Sequence, residues 1–274
     1  MLTNLQLKHT EQIKQTALVT GAASGLGFEL ALLLAKDGYD LVLVDINIEK
    51  LQEVKEEIAA LYPSDIQLIN KDLSQQNVSE EIFQALEGKS INVLINNAGF
   101  GIFGSFNDTD WERDAAMLNL HVLTTTHLTK LILKGMVARG SGKIMNMSSL
   151  AAFQPGPLMS LYYASKAYIL SFSEAIANEL KGTGVTVTVL CPGQTKTCFQ
   201  EVVSNGTNAS ENKIKFNIAC PTEVAEYGYK AMQKGKVVAI PGTFNKFLSR
   251  LPRFVPRRTV TAIIRKIQEK NRGN

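Results

Sequence analysis

Short apolar runs without polar alternation recur along the chain, separated by longer stretches with helical spacing. Ala17-Leu18-Val19, Leu41 to Val44, Ile66 to Ile69, Val93 to Ile95, Lys143 to Met147, Val185 to Leu190 and Val237 to Ile240 read as seven strands. Helices are predicted over Gly25–Lys36, Ile48–Leu61, Val78–Leu86, Trp111–Ala138, Tyr162–Leu180 and Val224–Met232. Strands that are apolar on both faces belong to a buried parallel sheet. Regular strand–helix alternation then predicts a doubly wound α/β fold, a seven-stranded parallel sheet between two helical layers. With no repeat, low-complexity stretch or linker, the expectation is a single domain over 1–274, its core at about 14–242 and an extension from 243 to 274. The one long irregular stretch, Thr195 to Cys220, is polar and reads as a loop of the kind that forms lids.

Composition narrows this picture. With 274 residues, 45% of them hydrophobic, the chain can bury an ample core without a disulfide or metal staple. No apolar run reaches the roughly 18–20 residues of a membrane span, and the start, polar and carrying Glu11, does not read as a secretory signal. Three cysteines form neither an even framework nor a CxxC pair, so a reducing, cytoplasmic setting is expected. His9, His121 and His127 lack ligand spacing, so no metal is expected, and His121 and His127 read as packing or surface residues. Cys191 reads as a small core filler.

The chemistry begins at Thr20-Gly21-Ala22-Ala23-Ser24-Gly25-Leu26-Gly27, between the first strand and the first helix. Glycines there permit a tight turn, close approach of a pyrophosphate and close helix–sheet packing. The helix N-terminus presents free N–H groups to phosphates. Gly21, Ser24, Gly25, Leu26 and Gly27 are therefore candidate cofactor contacts. Asp45, ending the second strand, suits a ribose diol and repels a 2′-phosphate. NAD is favoured and NADP remains possible, with Lys50 the nearest cation. Asp72-Leu73, after the third strand, suits an adenine.

Tyr162 and Lys166 stand four apart and share a helix face, a pairing that Tyr163 lacks. An ammonium beside a phenol favours the phenolate and lowers its pKa from about 10, and with an oxidised nicotinamide in a partly dry cleft it could bring Tyr162 toward neutrality as a general acid/base.

With these motifs in order, residues about 14–242 resemble the short-chain dehydrogenase/reductase (SDR) family, whose fold is Rossmann-type. The resemblance rests on Thr20 to Gly27, Asp72-Leu73, Asn96-Asn97-Ala98-Gly99, Asn119, Ser149 placed 13 residues before Tyr162, Tyr162-x-x-x-Lys166 and Pro192-Gly193. It implies NAD(P)-dependent hydride transfer between the nicotinamide and an alcohol or ketone, with a catalytic set of Asn119, Ser149, Tyr162 and Lys166. Tyr162 would exchange the proton, Lys166 would lower its pKa and hold the nicotinamide ribose, Ser149 would orient the reacting oxygen, and Asn119 would hold a relay water. It further implies cofactor contacts at Asn97, Ala98, Gly99, Pro192, Gly193 and Thr197. Thr195, also a candidate contact, departs from the family's usual Val or Ile. A nucleotide-sensing protein on the same fold usually loses the Tyr or the Lys, and this chain keeps both. Family members often pair through their two long helices, here 111–138 and 162–180, so a homodimer or homotetramer is expected.

The substrate end reads as apolar. Phe100 and Phe103 follow the fourth strand, Phe153 follows Ser149, and Phe199 lies beyond Gly193. An uncharged apolar pocket suits a steroid-, lipid- or acyl-like alcohol or ketone. The net charge of +4 hides a division. Residues 246–272 hold nine basic residues and one acid, +8 in all, leaving −4 for the rest. Val260, Ile263, Ile264 and Ile267 fall at helical spacing there. A basic amphipathic helix reads either as a peripheral membrane contact or as a helix docked on the body. The sequence carries no nucleic-acid recognition motif, and its basic excess is confined to the tail.

Overall fold

A computed structural model describes residues 14–195 and 219–272. Its centre is a seven-stranded, all-parallel sheet in the order β3-β2-β1-β4-β5-β6-β7. The strands are β1 Thr16–Thr20, β2 Asp40–Asp45, β3 Ile66–Asn70, β4 Ile91–Asn96, β5 Gly142–Met147, β6 Val185–Leu190 and β7 Val238–Ala239. The helices that position the site are α1 Gly25–Lys36, α2 Ile48–Leu61, α3 Val78–Ala85, α4 Trp111–Leu118, α5 Thr125–Arg139 and α6 Ser160–Glu179. They are followed by α7 Pro221–Gln233, α8 Thr243–Arg250 and α9 Arg257–Arg272.

Alternation along each strand decides which helices cover which face. Ala17 and Val19 of β1 pack with Leu30 and Leu34 of α1, Leu51 and Ile58 of α2, and Met232 of α7. Leu18, between them, points the other way, into Ile82 of α3, Leu128 and Ile132 of α5, and Ile176 of α6. Both faces are thus sealed, and Leu18, Leu30, Leu34 and Leu94 are fully buried. Each such side chain contributes about 1.5–3 kcal/mol by leaving water. Helix starts follow local chemistry: Asn47 accepts from Lys50 N at 2.9 Å to cap α2, and Asp110 accepts from Arg113 N at 3.0 Å to cap α4.

Strand order reverses between β1 and β4, and loops leaving the C-terminal ends of adjacent strands there part to leave a crevice. Two elements differ from their sequence reading. The predicted helix 111–138 is interrupted by a π-helical turn, Asn119–Thr124. Hydroxyls compete for its backbone: Thr125 Oγ1 donates to Leu120 O at 3.2 Å, and Ser79 Oγ to Thr124 O at 3.4 Å. The seventh strand shrinks to two residues at the sheet edge, paired with Val189 and Leu190. α8, formed by Thr243–Arg250, has no counterpart among the predicted elements.

Candidate active site

At the switch point lies a cleft of about 720 Å³. One end is built by the glycine turn. Gly21 and Gly25 adopt φ of 65° and 57°, left-handed values that disfavour side chains. A Cβ on Gly27 would collide with the Gly21 carbonyl and with Asn97 Nδ2. Asn97 stitches the turn to the loop after β4, donating to Thr20 O at 3.1 Å and Gly21 O at 3.0 Å. Ser24 precedes α1 without using its side chain as a cap, and the first turn of α1 carries no acid. The helix end therefore keeps its positive dipole toward the cleft.

Asp45, Asp72 and Leu73 line the same end. Asp45 accepts from Ala23 N and Asn47 N, both at 3.1 Å, which orients its carboxylate toward the turn. Burial pushes Asp72 up, but hydrogen bonds from Gln75 and Ser74 win and hold it below the usual carboxylate range. Ile46 and Lys71 also line this end. Lys71, rather than Lys50, is its cation, and it pairs with Glu81 at 2.6 Å.

On the floor, Ser149, Tyr162 and Lys166 converge with Ala98, Gly99, Pro192 and Gly193. Ser149 leaves β5 in extended conformation, and its hydroxyl accepts from Ala151 N at 3.1 Å. Ser148, its neighbour, turns inward and donates to Lys166 O at 2.8 Å. Lys166 is buried and donates to Met147 O at 3.0 Å, with Nζ 5.7 Å from the Tyr162 ring centroid. Burial lowers its ammonium to about 8.

Desolvation in the cleft raises the Tyr162 phenol to about 12, and the hydrogen bond with Ser149 offsets this only in part. Lys166 Nζ lies over the ring and donates to Met147 O.

Asn119 does not line the cleft; it opens the π turn. The same turn carries His121, which is fully buried and is no surface residue. His121 Nε2 accepts from Phe100 N at 3.2 Å, so Nδ1 carries the proton and donates to Ser165 Oγ at 2.9 Å. Ser165 Oγ in turn donates to Tyr162 O at 2.9 Å. Burial, with the Lys166 charge, holds His121 well below the usual imidazole range. The ring edge packs on Tyr162 with centroids 6.0 Å apart. The sequence signal was available, a histidine two residues after Asn119, but only the π turn aims it inward.

The other wall is apolar: Phe100, Leu120, Met147, Leu150, Ala151 and Met159. Of the four aromatic candidates, Phe100 lies there. Phe153 packs instead against Ile169, Leu170, Val189 and Cys191, and half-buried Phe103 is outside the lining. Phe199 and Thr197 fall outside the described residues, as does most of the expected lid. Thr195 lines the cleft, its hydroxyl donating to Gly193 O at 3.3 Å. Cys191 is buried, and burial raises its thiol to about 12, consistent with a core filler.

The tail completes the cleft. Ile264, Ile267 and Gln268 of α9 line it, and Gln268 Nε2 donates to Tyr163 Oη at 2.8 Å. The amphipathic period of the tail was legible, but its inward face closes on the cleft, so α9 docks on the body.

The short chain dehydrogenase family model matches residues 15–208. The chain belongs to this family. It is an SDR oxidoreductase acting on CH–OH groups. It is 34% identical over 216 residues to mouse (Mus musculus) 17-beta-hydroxysteroid dehydrogenase type 3, covering 77% of this chain and 70% of that one. It is 30% identical over 237 residues to 7beta-hydroxysteroid dehydrogenase of Mediterraneibacter gnavus, covering 86% and 89%. Among solved structures, a short-chain dehydrogenase from Sphingobium yanoikuyae in complex with NADPH aligns with a TM-score of 0.77 at 26% identity, covering 84% of this chain and 88% of that one.

Proposed function

We propose that this SDR transfers a hydride between a nicotinamide cofactor and an apolar alcohol or ketone of steroid, lipid or acyl type. The observation that carries the reading is the convergence of Ser149, Tyr162 and Lys166 on the cleft floor, between a glycine turn and an apolar wall. The relatives named above for hydroxysteroids support the substrate class.

The residues present fit a dinucleotide. Left-handed glycines leave the turn bare, α1 presents an uncapped N-terminus, and Asp45 and Asp72 line the far end. Gly21, Ser24, Gly25 and Leu26 would hold the pyrophosphate, Asp45 a ribose diol, and Asp72-Leu73 the adenine. Asn97, Ala98, Gly99, Pro192, Gly193 and Thr195 would border the nicotinamide, with Thr197 beyond the described residues. The bound nicotinamide supplies the hydride chemistry. Asp45 favours NAD; Lys71, already paired with Glu81, leaves NADP possible.

In the reductive direction Tyr162 Oη gives its proton to the substrate oxygen, and in the oxidative direction it takes one. Ser149 Oγ hydrogen-bonds that oxygen and holds it beside Tyr162. Lys166 supplies positive charge under the Tyr162 ring and would bind the nicotinamide ribose; Asn119, placed by the π turn outside the cleft lining, would hold a water between Lys166 and solvent. Burial raises the phenol, and a bound oxidised nicotinamide together with the Lys166 ammonium would supply the positive charge that lowers it for oxidation.

The reading includes one domain with its core at about 14–242, a homodimer or homotetramer, and a cytoplasmic setting. No described helix is long and apolar enough to cross a membrane. A panel of steroids, retinoids, long-chain acyl ketones and polyols, each offered with NAD(H) and NADP(H), tests it. Turnover of the apolar compounds is expected, and turnover of polyols alone would contradict the substrate class. Asp45→Ala should narrow the preference for NAD, and an unchanged ratio would remove Asp45 from ribose recognition.

A further inference from the structure

α8 is built inside out. Its buried residues are polar: Asn245 and Ser249, one turn apart. Asn245 Nδ2 donates to Pro241 O at 2.8 Å, and Ser249 Oγ donates to Lys246 O at 2.9 Å. Its solvent side carries large apolar side chains beside Thr243 and Arg250. Phe244, Phe247 and Leu251 fall three and four residues apart and are 47%, 60% and 41% exposed. Phe254 follows at 84% exposure. A second exposed apolar pair, Ile263 and Ile267, sits one turn apart on α9. Large apolar side chains gathered on one segment, turned away from a well-filled core, mark an interaction surface.

The charge around them is of one sign. From Tyr227 to Gln268 the sequence holds ten lysines and arginines and no acid. Arg250, Arg253, Arg257 and Arg258 are exposed beside the phenylalanines. Exposed aromatics interleaved with cations are the chemistry of an interfacial helix, whose rings enter the headgroup boundary while its cations meet anionic lipids.

We propose that residues 243–272 dock on an anionic lipid surface. The apolar edge of α8 and Phe254 enter the boundary, and the arginines meet the headgroups. α9 joins this surface to the chemistry, because Ile267 is both 42% exposed and part of the cleft lining, and Ile264 and Gln268 beside it line the cleft. An apolar substrate dissolved in the lipid would thus meet the cleft along α9. That entry route rests on the proposed oxidoreductase reading; the docking does not, and its test involves no turnover.

The test is flotation of the full chain with phosphatidylcholine vesicles made with and without phosphatidylserine. Binding is expected only with phosphatidylserine, and it should fall in 1 M salt, where charges are screened beyond about 3 Å. Phe247→Ser and Phe254→Ser should each reduce partitioning about tenfold or more. Both side chains face solvent, so thermal unfolding of the variants should match that of the parent. Equal partitioning of parent and variants, or equal binding to neutral vesicles, would overturn the proposal. So would an oligomer that the same substitutions dissociate, since the face would then be covered by a second copy of the chain.

Discussion

His121 Nδ1 lies 2.9 Å from Ser165 Oγ, and this contact ties the π turn to the helix that carries Tyr162 and Lys166. With Phe100 N on its other nitrogen, the imidazole bridges the loop after β4, the π turn and α6. His121→Phe leaves the Phe100 amide without its partner, at about 1–3 kcal/mol, and removes from Ser165 the donor that orients its hydroxyl, which still donates to Tyr162 O. A lower Tm is expected, and a lower kcat because the Tyr162 carbonyl loses its oriented donor. Unchanged kcat would make His121 a packing residue only.

The same imidazole gives a pH dependence with a definite sign. Its folded pKa is depressed, so below about 6.5 the unfolded chain binds a proton that the folded chain does not. Its contribution to stability is therefore complete above about 6.5 and declines as pH falls below that value, by up to ~1.4 kcal/mol per pH unit. Denaturant titrations of the parent and of His121→Phe between pH 5 and 8 should show this difference in slope as an estimate of ~1.4 kcal/mol or less per unit. Parallel curves would contradict the neutral buried state.

Lys166 carries a cost in stability. Burial lowers its ammonium to about 8, so the side chain stays mostly charged at neutral pH but holds its proton less tightly in the folded chain than in the unfolded one. Lys166→Met removes that cost, worth ~3 kcal/mol from the shift, and loses the bond to Met147 O, worth ~1 kcal/mol. Tm should rise or hold while turnover vanishes. A clear fall in Tm would mean that the ammonium is stabilised by its surroundings.

Gln268 tests whether the tail belongs to the cleft. Gln268→Ala removes the 2.8 Å bond to Tyr163 and loosens the wall formed by Ile264 and Ile267. A bond of this kind contributes ~0.5–1.5 kcal/mol, so KM for an apolar substrate should rise roughly 2–10-fold with kcat nearly unchanged. Unaltered KM would place α9 outside substrate binding.

The sheet was legible because strands buried on both faces are dominated by apolar residues, with only scattered polar positions such as Gln67, Asn146 and Thr186; all seven strands fall where the apolar runs lie. The cofactor end was legible because glycine turns and strand-end carboxylates are local chemistry. What the sequence hid was non-local. The π turn has no local signature in Trp111 to Ala138, which read as one helix, with His121 as a packing or surface residue. The apolar wall depends on which loop residues turn inward, so Met159 lines the cleft where Phe153 was expected and Phe153 fills a neighbouring core. The period of α9 was visible, but periodicity names a buried face without naming what buries it.

The central claim, that Tyr162 exchanges the proton, is tested most directly by Tyr162→Phe, measuring turnover and NADH binding by fluorescence in the same preparation. The substitution deletes one hydroxyl and keeps the ring that packs against His121. Loss of nearly all turnover with NADH binding retained is the predicted result; full turnover in the variant would contradict it.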